Sequence, residues 1–156
     1  MTDLLPTAIG VGLAVSLLFS ELFGLAAGGM VVPGYIALHL NNPLTVVLTL
    51  LAALATYALV YLFSSIMILY GKRRTVLTIL LGYIVRMSFD ALPVGSIQNL
   101  EQMLGGDFNM IGFIIPGLIA IWMDRQGLVE TLAALVTASI VVRLILILAF
   151  GSELRL

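Results

Sequence analysis

Apolar residues run almost without interruption through four stretches of the chain, 4–23, 44–69, 75–92 and 128–150, and polar residues gather in the gaps between them. Each stretch is close to or above the roughly 20 residues that carry a helix across about 30 Å of hydrocarbon. The pattern predicts four membrane-spanning helices. Pro6 falls where the first turn of a helix tolerates proline, and Asn41-Asn42-Pro43 reads as a polar turn that launches the second span. Between the second and third spans lies Gly71-Lys72-Arg73-Arg74, the only dense cationic cluster. By the positive-inside bias it faces the cytoplasm.

Two shorter apolar stretches interrupt this plan with the same phrase. Gly29-Met-Val-Val-Pro33-Gly34-Tyr-Ile-Ala37-Leu38 aligns without gaps on Gly112-Phe-Ile-Ile-Pro116-Gly117-Leu-Ile-Ala120-Ile121, about half the chain further on. Each phrase is followed by a short polar turn, Asn41-Asn42 or Asp124-Arg125, and then by a long span. The fold class expected is therefore an all-α integral membrane protein built from two internal repeats, 1–71 and 72–156. Each repeat would hold two long transmembrane helices and one discontinuous or re-entrant helix, in the broken segments 28–41 and 110–123. Only about twelve helical residues fit before each polar turn, too few for a regular span. A residue before proline is pushed out of the α region, so Val31-Val32 and Ile114-Ile115 are expected to enter extended, with Pro33 and Pro116 in the first turn of a short helix. Two topologies follow. If both phrases re-enter, the chain has four spans and parallel repeats; if both cross, it has six crossings and inverted repeats, the commoner plan among transporters.

Composition supports the membrane reading and narrows the chemistry. Hydrophobic residues are 62% of the 156 positions and charged residues 10%, which leaves few polar groups to cover a water-soluble globule. No cationic run precedes the first apolar stretch and no small-residue cleavage site stands out after it, so that stretch is expected to be a retained span. The chain has no cysteine, hence no disulfide, thiolate nucleophile or sulfur ligand for a metal. Gly71-Lys72 lacks the upstream glycine of a phosphate loop, and neither a His-Glu-x-x-His nor a Gly-x-Ser-x-Gly motif occurs. No catalytic residue, resident metal or cofactor is expected in this chain, and no nucleic-acid partner.

Several residues could nevertheless carry function. A helix that starts inside the membrane aims amides and the positive end of its dipole at whatever precedes it, which suits a carboxylate or phosphate. Gly29, Pro33, Gly34, Gly112, Pro116 and Gly117 are therefore candidates for an anion site, although small residues also serve close helix packing. Glu21, Arg86, Asp90 and Arg143 lie within or near the ends of apolar spans, where a charge must be paired or hydrated. Arg86 and Asp90 are spaced to pair along one helix face; Arg143 could snorkel outward or pair with Glu21 or Asp90. Lys72, Arg73 and Arg74 serve as an orientation signal and headgroup anchor, or as a docking patch for an acidic partner. His39, beside the polar turn, is expected to be an interfacial, hydrogen-bonded side chain, and Tyr70 and Trp122 sit where an aromatic belt would place them.

Taken together, Gly29-Met-Val-Val-Pro33-Gly34-Tyr35 with Asn42-Pro43, then Met67-Ile-Leu-Tyr70-Gly71-Lys72-Arg73, then Gly112-Phe-Ile-Ile-Pro116-Gly117-Leu-Ile-Ala120, strongly resemble the CapC/PgsC family, small membrane subunits of the bacterial poly-γ-glutamate capsule synthase. The likeness covers almost the whole chain; residues 93–108 add nothing to it. The resemblance implies a place in the bacterial cytoplasmic membrane beside a cytoplasmic ATP-dependent amide ligase (CapB/PgsB-like), for which ATP and Mg are implied, and beside other capsule membrane proteins. That ligase joins a γ-carboxyl, activated as an acyl phosphate, to the amine of the next glutamate. The family supplies no catalytic residue to carry over. On this reading the chain anchors the ligase and assists synthesis and export of poly-γ-glutamate, and a homo-oligomer is compatible with it. The rival readings are a stand-alone secondary transporter for an organic anion and a purely structural anchor.

Overall fold

The computed structural model describes residues 4–66, 71–91 and 111–151. Among them six helices follow one another: α1 (Leu4–Phe23), α2 (Val32–His39), α3 (Pro43–Ile66), α4 (Lys72–Asp90), α5 (Ile115–Gln126) and α6 (Leu128–Phe150). Three are long and apolar enough to cross a membrane, over Pro6–Phe23, Pro43–Ser65 and Leu128–Ala149. They present Leu17, Leu18 and Leu22 of α1, Leu51, Tyr61 and Leu62 of α3, and Leu144 and Leu148 of α6 on exposed faces. Side chains of this kind match a hydrocarbon solvent.

The fourth expected span forms a helix, α4, but does not qualify with the other three. Lys72, Arg73 and Arg74 occupy its first turn, with Arg86 and Asp90 near its end, so charge interrupts the apolar run. Residues 67–69 of the second expected span, Leu92 of the third and Met110 at the head of the second broken segment lie outside the described residues, as do Met67, Tyr70 and the whole of 93–108.

The chain divides into two compact units, one of Met1–Asn41 with Trp122–Leu156, the other of Asn42–Ile121. In the first, α1, α2 and α6 pack on one another. Its core is built around small residues, Ala8, Ala27, Ala37, Ala134 and Ala138, with Val15, Val142 and Leu146 beside them. Alanine at the contacts lets helix backbones approach, and dispersion then replaces the hydrophobic drive that lipid removes. In the second unit α3 packs on α4, with Ala52 and Val85 enclosed by Leu48, Ala55, Leu59 and Phe89.

The short helices break differently from expectation. Val31 is not extended: at φ −95° and ψ −28° it lies in the right-handed region, and Val32 is already helical with Pro33 after it. Ile115 likewise begins α5 one residue before Pro116. The pre-proline restriction disfavours helix without forbidding it, and proline near a helix start removes a donor that would lack a partner anyway. Glycines upstream make the break instead, Gly28 and Gly29 at φ 70° and 116° and Gly112 at φ 58°, values that residues with a Cβ seldom adopt. The second polar turn also shifts. Asp124 and Arg125 remain within α5, and the chain turns at Gly127, φ 104°.

Candidate functional site

Both Pro-Gly phrases sit in seats made by glycine. A Cβ built on Gly34 would lie 2.7 Å from the Ala8 carbonyl oxygen and 3.1 Å from Ile9 Cα, while one on Gly12 would lie 2.8 Å from both Cα and N of Gly34. In the second unit a Cβ on Gly82 would lie 2.7 Å from Cα and N of Gly117, and one on Gly117 would meet Ile79 Cα at 3.0 Å and the Thr78 oxygen at 3.2 Å. Carbon contacts normally settle near 3.5–4.0 Å. A methyl group does not fit at Gly12, Gly34 or Gly82 and would need its neighbours to give by a few tenths of an ångström at Gly117, so α1 and α4 touch the short helices backbone to backbone. Around each seat the partner helix carries matching residues: Ile9, Gly12, Val15 and Phe19 in α1, and Ile79, Gly82, Val85 and Phe89 in α4. Pro33, Gly34, Pro116 and Gly117 are all buried.

The segments leading to the short helices are tied down by polar side chains. The Ala26 amide donates to Gln126 Oε1 at 3.0 Å, and Gln126 Nε2 donates back to the Ala26 carbonyl. One side-chain amide thus satisfies both backbone groups of a residue that belongs to no helix. In the other unit Thr49 works in two directions, donating to the Thr45 carbonyl at 2.7 Å and accepting from the Ile111 amide at 3.1 Å. Downstream of these tethers the first intrahelical bonds run from Tyr35 N to Val31 O and from Leu118 N to Ile114 O.

The intramembrane charges take separate places. Arg143 does not pair with Glu21 in its described contacts, and the Asp90 side chain, the other expected partner, lies outside the described residues. Arg143 Nη1 donates to the Ala37 carbonyl at 3.3 Å and its Nη2 to Asn41 Oδ1. The guanidinium therefore closes the C-terminal end of α2, where unpaired carbonyls and the negative end of the dipole both favour a cation. Glu21 is exposed near the end of α1. Arg86 is buried, 7% exposed, and its guanidinium lies 5.3 Å from the centre of the Phe113 ring, just ahead of α5. Phe113 also meets Tyr83 at 6.0 Å between ring centres. Asp90 closes α4, with its side chain outside the described set. Lys72 and Arg73 are exposed and Arg74 is half-buried. His39 donates from Nδ1 to the Tyr35 carbonyl at 2.9 Å, and Arg125 lies 5.6 Å from the Trp122 ring centre.

No motif marks Gly12, Gly82, Gln126 or Thr49. A glycine inside the apolar helix before each Pro-Gly phrase is the signal that finds the first two; a lone Gln or Thr at a helix end carries no such signal.

These contacts and the three apolar spans define a small all-helical membrane protein with two short helices broken at glycine. Its sequence narrows the class further: the profile described as Capsule biosynthesis CapC matches residues 11–132. The chain is 40% identical over 126 residues, 80% of each chain, to the "PGA biosynthesis protein CapC" of Bacillus subtilis (strain 168). It is 38% identical over 134 residues, 85% of its length and 86% of the relative's, to the "Capsule biosynthesis protein CapC" of Bacillus anthracis. The chain belongs to the capsule biosynthesis CapC family. No solved structure matches it.

Proposed function

We propose that this chain is the membrane subunit of a poly-γ-glutamate synthase, anchoring a cytoplasmic ATP-dependent amide ligase and assisting synthesis and export of the polyanion. The names of the two relatives, one for PGA and one for capsule biosynthesis, support the pathway.

The observation that carries the anchoring role is the start of α4. Lys72, Arg73 and Arg74 fill its first turn, Gly71 precedes them at φ 61°, and no side chain caps the helix. Cations at the positive end of a helix dipole are each misplaced by about 0.3–1 kcal/mol. An anionic surface beside this turn reverses that sign. The acidic face of a soluble ligase and anionic headgroups both provide one, and a protein partner is the reading that also accounts for synthesis.

The same proposal assigns the two helix starts to the carboxylates of the growing chain. Gly34 and Gly117 are committed to packing, so the donors for this role are the amides around Gly29–Val32 and Gly112–Ile115. The buried Arg86 beside Phe113 adds a fixed positive charge near the second start. Arginine is suited to bidentate recognition of carboxylate.

Co-purification from detergent tests the anchoring claim. The wild-type chain should retain the ligase through washes, and the triple variant Lys72→Ala, Arg73→Ala, Arg74→Ala should lose most of it. Equal retention by the variant would remove the claim. Anion flux through liposomes holding this chain without a ligase would favour the carrier reading instead.

A further inference from the structure

We infer that the first Pro-Gly segment crosses the membrane and does not re-enter, which places the N-terminal end of α1 and the C-terminal end of α6 on the face opposite Lys72–Arg74. Nothing in this topology rests on the proposed function.

Two rulers in the first unit give the same result. Along α6, the segment is fixed at two levels. Gln126, just ahead of α6, holds Ala26, and Arg143 holds Ala37 and Asn41. From Leu128 to Arg143 the helix rises by about 22 Å at 1.5 Å per residue. Along α1, Ala8 touches Gly34, while Phe19 and Phe23 share a groove of about 420 Å³ with Val129, Ala133 and Thr137 of α6. Ala8 to Phe23 is again about 22 Å. Each ruler covers most of a hydrocarbon core about 30 Å thick.

The chain has the reach for this. Six residues from Ala26 to Val32 span at most about 20 Å, shortened by the bends at Gly28–Val31 and by the bond from the Gly28 amide to the Ala26 carbonyl, and α2 adds about 8 Å by Ala37. A re-entrant loop would instead bring Ala26 and Asn41 back to one level. The core of the unit agrees with antiparallel α1 and α6, since Ala8 near the start of α1 clusters with Val142 and Leu146 near the end of α6.

Connectivity carries the sidedness onward. From Asn42 the apolar helix α3 crosses once, so Lys72–Arg74 emerge on the face that holds Ala26 and Gln126. Arg125 precedes Gln126 on that face. Four of the seven cations, Lys72, Arg73, Arg74 and Arg125, thus lie at helix ends on this face, while Arg143 reaches Asn41 at the other, and the positive-inside bias makes the richer face cytoplasmic. In the second unit Ile111 is bonded to Thr49, about 9 Å into α3 from Pro43. The approach to α5 thus starts toward the Asn42 face.

The absence of native cysteine makes the test clean. Thr7→Cys, Asn42→Cys and Arg73→Cys would be labelled with a membrane-impermeant maleimide in right-side-out vesicles, before and after permeabilisation, and a tag fused after Leu156 would be probed with protease. The crossing predicts that Thr7→Cys, Asn42→Cys and the tag are reached from outside and Arg73→Cys only after permeabilisation. A re-entrant segment would put Thr7, the tag and Arg73 together on one face with Asn42 on the other, and that result overturns the inference. Protease access to the tag decides between the two topologies even where a cysteine variant fails to insert.

Discussion

Replacing Gly12 with alanine sets a methyl carbon 2.8 Å from both Cα and N of Gly34, where carbon contacts need about 3.5–4.0 Å. Both neighbours are backbone atoms, so no rotamer change relieves the overlap and the helices themselves must part. Overpacking of this kind costs about 1–3 kcal/mol, and the better helix propensity of alanine returns about 1 kcal/mol at most. A net loss of about 1–2 kcal/mol changes the folded-to-unfolded ratio about 5- to 30-fold. Gly82→Ala, at 2.7 Å from Gly117, should behave alike, and Gly117→Ala, whose nearest contact is 3.0 Å, should be milder. Gly10→Ala is the matched control: it lies in the same helix as Gly12 with nothing within 4 Å, so alanine there should be neutral or stabilising. Thermal unfolding in detergent, followed by retention of the monodisperse peak, measures the difference. In the double variant Gly12→Ala, Gly34→Ala the losses should not add, because both methyl groups open the same contact. Equal melting of Gly12→Ala, Gly82→Ala and Gly10→Ala would refute the glycine seats.

Three further outcomes follow from the contacts. Arg143→Met keeps length and loses the donors to Ala37 and Asn41; hydrogen bonds from charged groups contribute about 1.5–3 kcal/mol each when buried, and less is expected at this half-exposed end, read as faster amide exchange in α2 with α1 unchanged. Gln126→Ala removes both bonds to Ala26, and about 1–3 kcal/mol of local stability should disappear as protease sensitivity near Gly24–Val31. Arg86→Gln should reduce polymer output while membrane insertion persists, measured as polyglutamate released per cell; unchanged output would remove Arg86 from the carboxylate path.

Much of the fold is legible because the constraint is written in single residues. Apolar length predicts four spans, of which three qualify among the described residues, and the paired Pro-Gly phrases mark two short helices at Val32 and Ile115. What periodicity does not supply is the manner of the break. Proline draws attention by rule, yet Gly28, Gly29 and Gly112 turn the chain, and Val31 stays in the right-handed region. Sequence alone sends Arg143 toward an acid or outward to the surface; a helix C-terminus offers carbonyls, and Ala37 and Asn41 take the charge. Such partners are fixed by packing between elements far apart in sequence, as with Gln126 and Ala26, and no local pattern announces them. α4 shows the limit from the other side: its apolar middle, with Val76, Leu80, Tyr83 and Ile84 outward, reads as a fourth span, and the charge at its two ends keeps it from qualifying with the other three.

A place in the machinery that makes and releases poly-γ-glutamate is tested most directly on the polymer itself, quantified inside and outside cells that carry the ligase with and without a copy of this chain. Released polymer should require the chain and return on complementation with the wild type. Undiminished release in its absence would contradict that place.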